Sequence, residues 1–350
     1  MMAGFDDDDD EDFAPPLRRP FWRRKRVLLP LAILAALVAG FVLLLTPDTD
    51  REAMIAKYGG PDAAFAAGPA GQRIHYRDQG KRDGPVIILL HGSNASLHTW
   101  GPMVARLGAD YRVVTLDLPG HGLTGATPDR DYGAAGMMAA VDVVAAKLSL
   151  DRFILGGNSM GGWVAWRYAL ARPENVEALL LLDASGMPLR KGEKPPESNI
   201  GFRILEYPLG RWLATRITPR ALVEQSLRGS VSEEAFIDEA MIDRYWELLR
   251  FPGNREATVI RARTDREAHM AAKAGDIAVP TLILFGSEDR LINSTAAQSF
   301  AERIAGSEVV LLEGIGHLPM EEAPDRTAAA IADFLTRRLA VPPQADREIR

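Results

Sequence analysis

A serine, an aspartate and a histidine in this sequence stand where together they could attack a carbonyl. Ser159 is the centre of Gly157-Asn158-Ser159-Met160-Gly161, which follows the strand-like run Arg152–Leu155 and opens the helix-like run Trp163–Leu170. Gly-x-Ser-x-Gly at a strand-to-helix turn is a nucleophile elbow, which holds the serine at the tip of a strained turn. Glycine at 157 and 161 removes side chains that so tight a turn cannot hold, and Gly162 lets the helix pack close to the strand. A chain with 31 glycines can produce this pattern by chance. Chance does not supply the strand before it and the helix after it.

A serine hydroxyl is a weak nucleophile and needs a base that is itself held by an acid. His317, in Gly316-His317-Leu318, follows the apolar run Val309–Leu312, and Asp289, in Gly286-Ser287-Glu288-Asp289, follows Thr281–Phe285. Both fall at carboxyl ends of strands, on the sheet edge that carries the elbow, where open α/β sheets bind ligands. Glu288 beside it and Asp183, at the end of Leu179–Leu182, compete with Asp289 for the acid's role. A developing oxyanion needs two donors. The backbone N–H of Met160, at a helix N-terminus, is one, and that of Ser93, in His91-Gly92-Ser93 after Val86–Leu90, is the other. His75, His91, His98, His121 and His269 read as structural.

Positioning these residues calls for a mostly parallel sheet covered by helices. From about Asp62, apolar β-rich runs at Gln72–Arg77, Val86–Leu90, Arg112–Leu116, Arg152–Leu155, Ala178–Leu182, Thr281–Phe285 and Val309–Leu312 predict strands. Helical patterns at Met137–Lys147, Gly162–Ala171, Thr295–Ile304 and Arg326–Leu339 separate them. Between about 186 and 275 no strand pattern occurs. That interval, with Phe202, Tyr207, Trp212, Phe236, Tyr245 and Trp246, reads as a helical cap over an apolar pocket, inserted in a domain of residues 58–340.

The net charge of −6 speaks against a nucleic-acid partner, and the absence of cysteine removes thiolate nucleophiles, thiolate metal sites and disulfides. Nothing in the sequence calls for a metal or an organic cofactor. Residues 1–26 hold an acidic run, Asp6–Asp12, and then a basic cluster, Arg18–Arg26, and predict a disordered tail. Val27–Leu45 is uncharged and apolar, and as a helix spans roughly 28 Å, close to a bilayer core. It predicts one transmembrane anchor, with Pro30 in its first turn. The basic flank places residues 1–26 in the cytoplasm and the rest of the chain on the other side, the periplasm if the source is bacterial.

His91-Gly92-Ser93, Asp117-Leu118-Pro119-Gly120-His121-Gly122, Gly157-Asn158-Ser159-Met160-Gly161-Gly162, Gly286-Ser287-Glu288-Asp289 and Gly316-His317-Leu318-Pro319-Met320-Glu321-Glu322 together resemble the α/β-hydrolase fold family. The resemblance, from about Tyr58 to Leu339, is to its capped serine hydrolases, of the esterase and lipase kind. It implies Ser159 as nucleophile, His317 as base, Asp289 as its orienter, and Ser93 and Met160 as oxyanion donors. Haloalkane dehalogenases and epoxide hydrolases of this family carry aspartate where Ser159 stands. Hydrolases of ring-fission products typically place a tryptophan soon after the catalytic histidine, where this chain has Leu318-Pro319-Met320. The expectation is hydrolysis of a small-molecule carboxylic ester with an apolar portion, through an acyl-enzyme. C–C bond hydrolysis, cofactor-free haloperoxidase or perhydrolase chemistry, and non-catalytic ligand binding are the alternatives.

Overall fold

Strands covered on both faces need apolar side chains in both directions, and the central runs of this chain supply them. The computed structural model describes residues 21–194, 200–264 and 267–339. It forms two compact units, Met1–Leu45 and Thr46–Arg350.

The second unit is built on one eight-stranded sheet. Its strands are β1 (Ala64–Ala67), β2 (Arg73–Gly80), β3 (Val86–Leu90), β4 (Arg112–Leu116), β5 (Phe153–Asn158), β6 (Val176–Leu182), β7 (Thr281–Gly286) and β8 (Glu308–Leu312). Their spatial order is β1-β2-β4-β3-β5-β6-β7-β8. β1 and β2, and β2 and β4, pair antiparallel, and every other pair is parallel. Alternation sorts the core: Ile88, Leu90, Leu155 and Leu181 face one layer, while Ile87, Leu89, Ile154 and Leu180 face the other. The first layer is closed by Ala134–Leu148 and Met160–Ala171, the second by Gly101–Leu107 and Pro324–Leu339. Each fully buried leucine or isoleucine contributes on the order of 2 kcal/mol.

The chain winds outward from β3 to β4, then returns past β3 to lay down β5. The carboxyl ends of β3 and β5 therefore flank the point where the winding reverses, where a crevice must open. Register lines up the strand ends, with Leu90 opposite Gly157, Asn158 opposite Leu182 and Gly286 opposite Leu312. β1 was not legible as a strand: it is four residues long and mostly alanine. Between β6 and β7 the described residues form the helices Ile200–Leu205, Pro208–Ala214, Arg220–Arg228, Glu239–Leu249 and Asn254–Arg261.

In the first unit, Phe21–Leu44 is a single helix, which puts Pro30 inside it and not in its first turn. Leu28, Leu29, Leu34, Leu37 and Leu43 are exposed. Among the described residues no helix is long and apolar enough to cross a membrane. Arg23, Arg24, Lys25 and Arg26 occupy the start of this helix and its apolar part ends at Leu44. The anchor expected over 27–45 thus falls almost wholly within this helix, which ends at Leu44. The acidic run of the tail lies outside the described residues.

Beneath the loops after β3 and β4 lies a buried polar network. Asp117 accepts from the His75 ring and from the N–H groups of Leu97 and Leu123, each at 2.7 Å. Burial raises the Asp117 carboxyl, but the His75 hydrogen bond and the facing histidine rings outweigh it and hold the group below the usual carboxylate range. Burial also lowers His91 and His121, and pushes His98 down to about 4 from 6.5. Such groups bind fewer protons folded than unfolded, so stability is full above about 6.5 and is lost as pH falls towards 4. The thermal midpoint should be lower at pH 5 than at pH 7.5, and His98→Gln should recover part of the difference. A midpoint unchanged between the two pH values would contradict this account.

Candidate active site

β5 ends at Asn158 and the helix Met160–Ala171 starts one residue past Ser159, so the serine itself makes the turn. Its backbone lies at φ 54° and ψ −114°, which a residue with a Cβ adopts only when its surroundings impose it. The Ser159 N–H donates to the Leu182 carbonyl at 3.0 Å, and its carbonyl accepts from the N–H groups of Trp163 (3.0 Å) and Ser185 (3.1 Å). Added Cβ atoms show why glycine surrounds it. At Gly157 one would lie 2.3 Å from the Gly161 backbone, and at Gly161 2.1 Å from the Leu90 carbonyl oxygen. At Gly162 one would come within 2.5 Å of Ala184 Cβ, where the helix crosses the end of β6.

Asp289 and His317 come together from the loops after β7 and β8. The Asp289 Oδ2 lies 2.7 Å from His317 Nδ1, with side chains 0% and 6% exposed. Oδ1 of Asp289 accepts from the N–H groups of Leu291 (2.7 Å) and Ile292 (3.0 Å), which fixes the carboxylate. With Nδ1 engaged, Nε2 is the ring nitrogen left for proton exchange. Glu288, the neighbouring competitor, is exposed, whereas Asp183 is buried beside the pair. The His317 N–H donates to the Ser230 carbonyl at 2.8 Å, and its carbonyl accepts from Asn158 Nδ2 at 3.0 Å. Glu322 accepts from the Gly316 N–H at 2.9 Å and from the N–H groups of Ser232 (3.1 Å) and Glu233 (3.0 Å). One carboxylate thereby joins the histidine loop to the cap.

The loop after β3 lies against the elbow: a Cβ on Gly92 would stand 3.3 Å from Ser159 Cβ. The Leu118 N–H donates to His91 Nε2 at 3.0 Å, so the ring hydrogen is on Nδ1, 2.8 Å from the Gly92 carbonyl. His91 thus pins the backbone that leads to Ser93. Neither the Ser93 nor the Met160 N–H has a protein acceptor among the described residues. Arg261 Nη1, from the cap, donates to Ser93 Oγ at 2.9 Å. Ser93, Ser159, Met160 and His317 all line one cavity of about 1190 Å³, whose cap side is Leu205, Leu209, Leu213, Leu222 and Leu227.

The five residues singled out in the sequence therefore meet at one place, on the crevice that the strand order dictates. Residues 87–330 match a family described as the alpha/beta hydrolase family. The chain belongs to that family. It is 28% identical over 260 residues to the monoacylglycerol lipase ABHD6 of Homo sapiens, covering 72% of this chain and 75% of the relative. It is also similar to the crystal structure of a bacterial membrane phospholipase A, with a TM-score of 0.66 and 26% identity over 90% of this chain and 99% of that one. A meta-cleavage product hydrolase from Pseudomonas fluorescens IP01 shares the fold, with a TM-score of 0.65 at 20% identity over 78% of this chain and 97% of that one. Within this alpha/beta hydrolase, Asn158, Glu322, Arg261 and His91 were not read from the sequence as parts of the site. Asn158, inside the elbow motif, His91, beside Gly92, and Glu322, at the end of the motif around His317, carried a signal there, and Arg261 carried none.

A fluorophosphonate probe should label the full-length chain covalently and should fail to label Ser159→Ala, whose circular dichroism should match the parent. Labelling that survives the substitution would place the nucleophile elsewhere.

Proposed function

We propose that this alpha/beta hydrolase cleaves a carboxylic ester with an apolar acyl or alcohol part through a Ser159 acyl-enzyme. The observation that carries the proposal is the buried Asp289–His317 pair, whose histidine lines one leucine-walled cavity together with Ser159. Ser159 Oγ attacks the carbonyl carbon while His317 Nε2 takes its proton, and Asp289 stabilises the resulting imidazolium. The amides of Ser93 and Met160, which have no acceptor to compete among the described residues, receive the oxyanion. His317 returns the proton to the leaving alcohol, and a water activated by the same nitrogen then releases the acid. A cavity near 1190 Å³ exceeds the roughly 300–1,000 Å³ of ordinary ligand sites and suits a long acyl chain. The lipase relatives point the same way.

The proposal extends to location. The basic cluster before an apolar run, Val27–Leu45, supports single-pass attachment to a membrane, with residues 1–26 cytoplasmic and the catalytic unit on the opposite side. A reporter fused after Arg350 should behave as non-cytoplasmic, and a cytoplasmic signal would overturn that orientation.

Hydrolysis of p-nitrophenyl esters from acetate to palmitate tests the chemistry. Turnover should rise towards medium or long chains and fall by at least ~10³-fold in Ser159→Ala. Leu213→Trp, which fills the cavity, should shift the optimum to shorter chains. A folded protein inert across the series, yet active on a ring-fission dienoate or on a peroxide with bromide, would replace the ester by those chemistries.

A further inference from the structure

One buried acid beside the triad has no part in the scheme above. Asp183 follows β6 with a left-handed backbone, φ 43°, and is 0% exposed. Its Oδ1 accepts from the Gly286 N–H at 2.9 Å, and its Oδ2 meets no donor among the described residues. Beside the carboxyl group lies another acceptor, Asp289. One ligand-type atom each of Asp183, Asp289 and His317 falls within 4.8 Å of the others. Two carboxylates in contact in a dry site cannot both ionise, so the pair holds one proton between them. Asp289 accepts from the His317 ring and two backbone N–H groups, all of which favour its charge. Asp183 has a single donor. The proton therefore resides on Asp183, whose carboxyl is pushed well above the usual range by burial and then by the Asp289 charge.

We propose that Asp183 is a second acid of this triad: a neutral carboxyl that hydrogen-bonds Asp289 in the intact enzyme and takes over the holding of His317 when Asp289 cannot. This rests on the Ser159–His317–Asp289 reading and adds a positioning residue to it. The titratable groups facing Asp183 are Asp289 beyond β7, and His317 and Glu322 beyond β8. In the intact chain the Asp183 O–H donates to an Asp289 oxygen, and that proton stays with the pair through turnover. With asparagine at 289 the opposing charge is gone. Asp183 then ionises and reaches His317 by a side-chain rotation.

The test is kcat and KM of the full-length chain on a p-nitrophenyl ester, with near-UV circular dichroism of every variant. Asp183→Asn keeps a donor for Asp289 and tolerates the left-handed backbone, so kcat should fall about threefold, less than in the glycine variant. Asp183→Gly fits that backbone without the donor, and kcat should fall about tenfold at unchanged KM. The decisive comparison is between Asp289→Asn, expected to lose about 10–100-fold in kcat, and Asp289→Asn/Asp183→Asn, expected to lose about 10⁴-fold like a triad with no acid. Equal losses in the two overturn the inference. They leave the triad reading standing if Ser159→Ala is inactive, whereas activity surviving in Ser159→Ala overturns both. Should the double asparagine variant not fold, Asp289→Asn/Asp183→Gly makes the same comparison.

Discussion

The backbone of Ser159 must turn through a left-handed conformation to lift its hydroxyl out of the sheet, and much of the surrounding structure serves that turn. Such a residue costs on the order of 1–3 kcal/mol, which local packing has to offset. Asn94 after β3 and Asp183 after β6 share the same sign of φ. Three neighbouring strands thus end in imposed turns on the edge where the winding reverses. Backbone bonds to the next strand hold two of them, Ser159 N–H to Leu182 and Asp183 N–H to Leu284. The strain is distributed across the sheet edge, and each turn is anchored on its neighbour.

Polarity follows the same geometry. Strand ends leave backbone donors without ladder partners, and on this edge each is given a purpose. The amides after Asp289 receive its carboxylate, the Gly286 amide receives Asp183, and the Gly316 amide receives Glu322. Those of Ser93 and Met160, two residues that line the cavity, have no acceptor among the described residues. Below them the Asp117 and histidine network fixes the β3 loop, and its bond from the Leu118 N–H to His91 Nε2 needs a neutral ring. The loop bearing Ser93 therefore inherits the stability of a buried network remote from the Ser159 hydroxyl.

The sheet and its active edge were legible because their signals are local. Val86–Leu90 and Thr281–Phe285 are apolar runs that only a strand buried on both faces tolerates, and the elbow glycines are a steric requirement written at fixed spacing. Asp289 and His317 were findable because each lies within a few residues of such a run. What escaped depends on which loops meet. Nothing near Glu322 says that it clasps Ser232 and Glu233 some ninety residues earlier in the chain. Nothing around Arg261 announces Ser93 as its partner. β1 has too little side chain to show a pattern, and is a strand only because β2 offers an edge. Asp183 was visible as a rival to Asp289; that both acids lie together could not be read from either neighbourhood.

The cap and His317 are mechanically one piece. Gly316 packs so closely on the cap that an added Cβ would lie 2.7 Å from Val231 Cα, and the His317 N–H is spent on Ser230. Glu322 closes the same junction from the other side. Arg261 ties the far end of the cap to Ser93, so both His317 and the loop after β3 are gripped by the element that walls the pocket. A molecule that displaces the cap must strain hydrogen bonds reaching His317 and Ser93, whereas one that fits the leucine wall leaves them intact. Selectivity in such a site need not come from polar recognition of the substrate. On the proposed reading it arises because apolar complementarity above Ser159 is a condition for the geometry below it.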